Sequence, residues 1–329
     1  MNYGQFLNMV PEFYLVLILL AVFVVDFIMH RSEKKLDTLY IVTVALLAVL
    51  PVRIVFLANP AEAFGGLYVA TPAVNVMKAI LAFGSLIVVL MAQPWVATQK
   101  RLAGEFYMLI ISTLLGMFVM MSSGNFLLFF LGLEMASVPL ACLVAFDRDR
   151  KDSAEGAAKY ILVATFSSGV MLFGISFIYA ATGTLYFDDV AAVITAKPLT
   201  IMGLTFFFSG LGFKISLVPF HFWTADTYQG APTPVTGYLS VISKGAAAIT
   251  LCIILTKVFQ PMVEYWDYML YIVIVLSITV LTSLLSVRAS SSDSWRSQVS
   301  RRLAISCWQS LATVSSAWLR LLTMYSSTS

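Results

Sequence analysis

Three ionisable residues lie near the middle of long apolar segments: Glu134, Lys214 and Lys244. A charged side chain at the centre of a bilayer costs roughly 2.5–3.5 kcal/mol on insertion scales, so its presence there needs a reason. A buried lysine close to a carboxylate can release and rebind a proton near neutral pH, which favours a buried proton or ion path. The alternative is an ion pair that only holds helices together.

Three other charged residues lie nearer the ends of their apolar segments: Asp26, Lys78 and Lys159. Long or terminal side chains in such positions can extend to the membrane surface while their carbon atoms stay in the apolar layer. We therefore interpret these three residues as surface-directed and expect no chemistry from them.

Pro219 follows Lys214 by five residues within one apolar segment. Proline removes a backbone hydrogen bond and clashes with the preceding turn, so we expect the helix to break around residues 217–221. Interrupted helices line hydrated cavities in transporters, although a simple proline kink would fit the same residues. His221 is a candidate relay because imidazole titrates near neutral pH, but a single histidine near a helix end is more often a packing residue.

The elements that must position these residues are membrane-spanning helices. Of 329 residues, 60% are hydrophobic and only 11% are charged, whereas soluble domains carry roughly 25% charged residues. The apolar runs are long and continuous, which excludes both a soluble enzyme and a transmembrane β-barrel. The sequence predicts an all-α, polytopic transmembrane helix bundle of nine spans, at 11–29, 37–57, 72–93, 104–121, 124–145, 155–181, 199–228, 232–258 and 265–287.

Cysteine and charge content exclude other functions. Cys142, Cys252 and Cys307 are far apart and show no C-x-x-C spacing, so we expect neither a disulfide framework nor a zinc site. The net charge of +3 is spread over loops without forming a basic stripe, so we expect no nucleic-acid partner.

The basic residues indicate an orientation. They fall on alternate loops, around Arg31 to Lys35, Lys100 and Arg101, Arg148 to Lys151, and Arg288. Under the positive-inside rule these loops are cytoplasmic and the N-terminus is outside. The first span lacks a basic start and an A-x-A site, so we expect it to stay in the chain rather than act as a cleaved signal.

Several long motifs surround the candidate residues. One runs from Leu211 to Trp223, LGFKISLVPFHFW, and continues through DTYQGAPTPVT at 226–236 and SKGA at 243–246. Two others are FFLGLEMASVPL at 129–140 and SAEGAAKY at 153–160. Over residues 11–287 the chain resembles the antiporter-like membrane subunits of bacterial respiratory complex I. It is most similar to their N type, because Lys244 occupies a position where the other types usually have a histidine pair.

The resemblance implies a role for each candidate residue. Glu134 matches the acidic residue of helix five, Lys214 the lysine of the broken helix seven, and Lys244 the next relay lysine on helix eight. It also implies a division into 1–103 with helices 1–3, 104–258 with helices 4–8 as a first antiporter-like repeat, 259–287 with helix 9 beginning a second repeat, and 288–329 as an aberrant tail.

The implied function is proton translocation coupled to electron transfer from NADH to quinone, in the bacterial inner membrane. The chain is expected to bind no cofactor, while NAD, quinone, FMN and iron–sulfur clusters belong to partner subunits of complex I. Its expected partners are the other membrane subunits and the lipid bilayer. Two alternatives stay open: a subunit of a cation/proton antiporter, and a non-conducting truncated scaffold.

The composition changes after residue 287. Residues 288–329 contain thirteen serines, five arginines and three tryptophans, but no Gly, Pro, Phe or Lys. AGC serine codons read one base away become CAG glutamine codons, and the family has glutamines after the arginine that Arg288 resembles. We therefore expect a truncated or frameshifted end after about residue 288, with a natural short paralogue as the alternative.

Overall fold

The structure is a computed structural model of the chain, which describes residues 3–29, 35–99 and 102–289. Nine helical segments in these ranges are long and apolar enough to cross a membrane. The prediction of an all-α polytopic bundle with nine spans is confirmed. The tail predicted for 288–329 lies outside the described residues from position 290 onward.

The helices divide into two compact units, Met1–Asp149 with Ala231–Ile242, and Arg150–Gly230 with Ser243–Ser329, each within its described residues. The fourfold division expected from the sequence stays a prediction. The first unit contains five long helices, a short helix and a hairpin: α1 Val10–Ile28, α2 Lys35–Leu57, β1 Ala61–Ala63, β2 Tyr68–Ala70, α3 Pro72–Val96, α4 Ala103–Met121, α5 Phe126–Val144 and α10 Thr233–Tyr238. A 3₁₀ helix, Tyr3–Asn8, precedes α1.

The second unit contains the remaining helices: α6 Lys151–Thr182, α7 Phe187–Val193, α8 Pro198–Ile215, α9 Phe222–Gly230, α11 Lys244–Lys257 and α12 Val263–Ala289. A 3₁₀ helix, Gln260–Met262, lies between α11 and α12. The short α7 lies in the connection between α6 and α8. Between α10 and α11 the chain forms a π-helical turn, Leu239–Ser243, so the eighth span is one helix with an irregular middle.

Glycines allow the helices of each unit to approach one another closely. A β-carbon at Gly116 of α4 would lie 2.4 Å from the backbone nitrogen of Ala136 in α5. A β-carbon at Gly174 of α6 would lie 2.5 Å from the backbone nitrogen of Phe207 in α8. In lipid the hydrophobic effect does not drive helices together, so their association depends on close van der Waals packing. Small residues such as glycine allow the backbones to make this contact. These two contacts position the helices that carry Glu134 and Lys214.

The seventh span is interrupted, as the sequence predicts. Helix α8 ends at Ile215, the chain turns through residues 216–221, and α9 begins at Phe222. Ser216 has φ of +64°, the left-handed conformation that commonly ends a helix. Pro219 lies in the turn, outside both helices.

Candidate functional site

Lys214 lies in the last turn of α8, directly before the interruption. Its side chain is only 4% exposed. The ammonium nitrogen, Nζ, donates a hydrogen bond of 3.0 Å to the hydroxyl oxygen of Tyr160 on α6. It also lies 5.7 Å from the centre of the Tyr160 ring, within the range of a cation–π interaction. The Lys214 cation is therefore stabilised in part by a neutral aromatic residue, which sequence reasoning did not single out.

Aromatic side chains surround this hydrogen bond. The rings of Tyr160 and Trp223 meet edge to face with centroids 5.1 Å apart, and Phe213 packs against Trp223 at 5.0 Å. The indole nitrogen of Trp223 donates to the backbone carbonyl of Phe213 at 3.1 Å. That carbonyl, in the last turn of α8, also accepts a hydrogen bond of 2.9 Å from the Ser216 amide. The second half of the broken span thus adds a second hydrogen bond to a carbonyl at the end of the first half.

Two further contacts fix the turn. The hydroxyl of Thr224 donates to the hydroxyl oxygen of Ser216 at 2.8 Å, and the amide of Val218 donates to the Ser277 hydroxyl on α12 at 3.2 Å. Both contacts are buried. The interruption is consequently a hydrogen-bonded structure with defined partners rather than a simple kink.

The second half-helix, α9, is tied to α6 by charge. Lys159 Nζ lies 2.6 Å from Asp226 on α9 and 2.7 Å from Glu155 on its own helix. Next to this pair the backbone of α9 approaches Gly156 so closely that a β-carbon there would lie 2.9 Å from the Asp226 carbonyl oxygen. Lys159 is 44% exposed, which agrees with its predicted place near a helix end.

Lys244 is the first residue of α11 and is also only 4% exposed. Its Nζ lies 5.1 Å above the ring of Tyr228 in α9. The π-helical turn, Leu239–Ser243, ends immediately before it. Such turns occur often at functional sites because they redirect a side chain and loosen the helical hydrogen-bond pattern. Both lysines of the predicted path are therefore buried and face aromatic rings.

Glu134 lies on α5 in the first unit and is half-buried. The adjacent Gly132 packs against the backbone of Met120 on α4, where a β-carbon would lie 2.4 Å from the Met120 nitrogen. This packing holds α5 closely against α4. The role of Glu134 in a proton path stays a prediction.

His221 lies in the turn between α8 and α9 and is half-buried, with its ring 4.5 Å from that of Phe222. Pro219 is exposed in the same turn. The stacking contact fits the packing interpretation of His221, and a relay role stays a prediction.

One expectation from the sequence is wrong. Lys78 does not extend to the surface, since it is completely buried, and its Nζ lies 2.5 Å from the Glu12 carboxylate of α1. Asp26, by contrast, keeps a partly exposed side chain, 2.8 Å from Lys35. A position near the start of α3 does not make Lys78 exposed, because other parts of the first unit cover its side chain. The missed signal is the opposite charge of Glu12 at the start of another span.

Metal ligands do not cluster in the part of the chain that the structure describes. No three His, Cys, Asp or Glu side chains come together there. In the second unit, two buried lysines instead lie against aromatic rings.

An interrupted helix with a buried lysine at the break places the chain among multi-pass helical membrane proteins built like secondary transporters. Sequence comparison specifies the family. The family described as "NADH:quinone oxidoreductase/Mrp antiporter, TM" matches residues 123–293, which is more than half of the chain. The chain belongs to this family.

Individual relatives agree with this assignment. NADH-quinone oxidoreductase subunit N of Phocaeicola vulgatus is 50% identical over 297 residues, covering 88% of this chain and 61% of the relative. A chain of respiratory complex I from Thermus thermophilus has a TM-score of 0.72 at 27% identity, covering 92% of this chain and 64% of that one. A chain of the Mrp complex from Dietzia sp. has a TM-score of 0.74 at 18% identity, covering 95% of this chain and 59% of that one, and shows the shared fold.

A second relative, subunit N of Azobacteroides pseudotrichonymphae, is covered over 60% of its length. The chain thus spans about three fifths of the length of the curated relatives it matches.

Proposed function

We propose that the chain is a proton-translocating membrane subunit of an NADH:quinone oxidoreductase. The observation that carries the proposal is the position of Lys214. Its ammonium group is buried in a membrane-spanning helix, at the point where the backbone is interrupted, and it is bound by the hydroxyl of Tyr160. An ionisable residue inside a membrane span is costly, and its common use is in proton or ion movement.

The proposed path uses Glu134, Lys214 and Lys244. Electron transfer elsewhere in the complex changes the charge balance around Glu134 and Lys214, and the proton then moves from Lys214 toward Lys244. Both lysines lie beside aromatic rings of α6 and α9, which supports their place in the path, because cation–π contacts stabilise a charged lysine without neutralising it. His221, in the turn, is the proposed relay toward water.

The redox chemistry belongs to partners in this proposal. Electrons pass from NADH through FMN and iron–sulfur clusters to quinone in other subunits, and this chain contributes only proton movement. Its partners are the other membrane subunits of complex I and the surrounding lipid. The similarity to NADH-quinone oxidoreductase subunit N of Phocaeicola vulgatus supports this assignment.

We further propose that the chain resides in a bacterial inner membrane with its N-terminus outside, and that α4 to α11 form one antiporter-like repeat. The alternation of basic loops supports the orientation. The interrupted α8–α9 pair in the middle of this region supports the repeat.

A second candidate, a subunit of a cation/proton antiporter, is favoured by the family itself, which includes Mrp antiporters. The two functions differ in what drives proton movement. In the first it is NADH oxidation, and in the second it is a gradient of another cation.

The experiment uses inside-out membrane vesicles from a host that carries the subunit as its only copy. Proton uptake is followed by a pH-sensitive dye, first on addition of NADH and then on addition of sodium ions without NADH. We expect uptake with NADH and a reduced ratio of protons to NADH in Lys244→Ala. Lys151→Ala, which changes an exposed lysine at the start of α6, is the matched control. A sodium-driven pH change without any NADH-driven uptake would favour the antiporter.

A further inference from the structure

A second group of buried ionisable side chains lies far along the sequence from the lysines of the broken helix. Glu12 is in the first turn of α1, Lys78 is in the second turn of α3, and Tyr68 is on strand β2. Their exposed fractions are 3%, 0% and 0%. All three belong to the first compact unit.

The three groups form a closed triangle of hydrogen bonds. Lys78 Nζ donates to Glu12 Oε1 at 2.5 Å and to the Tyr68 hydroxyl oxygen at 3.2 Å. The Tyr68 hydroxyl donates to Glu12 Oε2 at 2.8 Å. The rings of Tyr68 and Phe118 lie 5.2 and 5.5 Å from Lys78 Nζ. Lys78 is therefore enclosed by one carboxylate and two aromatic rings.

This arrangement is unusual for a membrane bundle held together by packing alone. Ionisable residues within membrane spans are costly, and their common use is in ion or proton movement. A fully buried ion pair also adds little stability over a well-packed apolar pair, because desolvation of the two charges offsets their attraction. Helix packing by itself therefore gives no reason to retain Glu12 and Lys78.

A small hairpin covers the group on one side. Strands β1 and β2 pair through only three residues each, too few for such a hairpin to be stable alone. It is held from outside: the amide of Phe64 donates to the Gln5 side chain at 3.0 Å, and the amide of Val69 donates to the Ser122 carbonyl at 2.8 Å. Because Tyr68 is part of this hairpin, movement of the hairpin would break its bond to Glu12 and open the group.

We propose that Glu12 and Lys78 form a second proton-transfer pair, which exchanges its proton on the hairpin side of the membrane. In the transfer, an N–H bond of the Lys78 ammonium breaks and an O–H bond forms on Glu12 Oε1. The ion pair becomes a neutral amine and a neutral carboxylic acid, so the net charge of the pair is unchanged. Exchange with water follows when the hairpin moves.

Tyr68 orients the pair and keeps its own proton. Burial, together with the negative charge of Glu12, holds the pKa of the Tyr68 hydroxyl well above its usual range. The phenol therefore donates to the carboxylate throughout, and it has no part in carrying the proton.

The inference rests on the proposed proton translocation, so its test also includes a variant of Lys214, which belongs to the path proposed above. Lys78→Arg, Lys214→Ala and the control Lys151→Arg are compared in inside-out vesicles for NADH-driven proton uptake per NADH oxidised. Arginine keeps the ion pair with Glu12 but does not release its proton at any accessible pH. We expect Lys78→Arg to assemble and to lower proton uptake about tenfold, and Lys151→Arg to leave it unchanged.

Normal uptake in assembled Lys78→Arg would overturn the inference, because Lys78 would then act only as a fixed charge. If the bulkier arginine prevents assembly, the double variant Glu12→Gln with Lys78→Met decides, since it removes both charges at similar volume. Assembly with impaired uptake supports the inference. Normal uptake, or failure to assemble, assigns the pair a structural role. If proton uptake is impaired in Lys214→Ala but normal in Lys78→Arg, this inference alone is rejected. If proton uptake is normal in Lys214→Ala, the proposed role of Lys214 is rejected.

Discussion

The Nζ of Lys214 and the hydroxyl oxygen of Tyr160 are 3.0 Å apart, although 54 positions separate the two residues in sequence. The contact joins the end of α8 to α6, and both side chains are buried. A phenol accepts a hydrogen bond from the ammonium without supplying a full negative charge. Tyr160 thereby holds the Lys214 side chain at the end of α8.

Replacement of Lys214 tests whether it carries a proton or only a charge. We expect Lys214→Ala to lower NADH-driven proton uptake severalfold while the complex still assembles, because the close backbone packing of α8 on α6 at Gly174 does not depend on the Lys214 side chain. Lys214→Arg should impair uptake as well, since guanidinium keeps its proton. Uptake per NADH and assembly on native gels are measured together. Normal pumping by Lys214→Arg would show that charge alone suffices.

Glu134→Gln tests whether the Glu134 carboxylate takes part in the path proposed for Lys214 and Lys244. Glutamine keeps the shape and hydrogen-bonding capacity of glutamate but removes its charge, so we expect assembly to be unaffected and proton uptake to fall. If Glu134 acts on a lysine of the proposed path, the pH dependence of uptake should also change, because a neighbouring charge alters the proton affinity of a lysine. Glu264→Gln, at an exposed position at the start of α12, is the control. An identical pH profile in Glu134→Gln and the parent would separate Glu134 from the path.

Close packing of α6 on α8 gives a prediction about stability. Gly174→Ala places a methyl group against the backbone of α8, and we expect a loss of about 1–3 kcal/mol, as in other overpacked interiors. Gly169→Ala on the same helix meets nothing within 4 Å and should be neutral or stabilising by up to about 1 kcal/mol. Thermal unfolding in detergent compares the two variants. Equal unfolding midpoints for the two variants would mean that α6 and α8 can move apart to admit the methyl group without a loss of stability.

The sequence predicted the spans and the break because both follow from local rules. Long apolar runs indicate membrane helices, and Pro219 within one of them indicates an interruption. Lys214 and Lys244 were identifiable because a charge within an apolar run stands out.

Partners across the fold were not predictable in the same way. Tyr160 lies in an apolar helix where a tyrosine is unremarkable, and its importance depends on its distance from Lys214. Glu12 and Lys78 each look like a residue at the membrane surface, and only the folded structure brings their side chains together as an ion pair. The π-helical turn before Lys244 also depends on packing, since no proline or glycine occurs within Leu239–Ser243.

Tyr160→Phe isolates the hydroxyl that binds Lys214. The variant keeps the ring and therefore the contacts with Trp223 and Phe213, so we expect normal assembly and a thermal midpoint within a few degrees of the parent. Without the hydroxyl, Lys214 loses a hydrogen-bond partner while the cation–π contact with the ring persists, and we expect proton uptake per NADH to fall about two- to tenfold. Tyr271→Phe, at an exposed position on α12, is the matched control. If Tyr160→Phe pumps normally while Lys214→Ala does not, the ring alone positions the lysine, and the hydroxyl has no part in proton transfer.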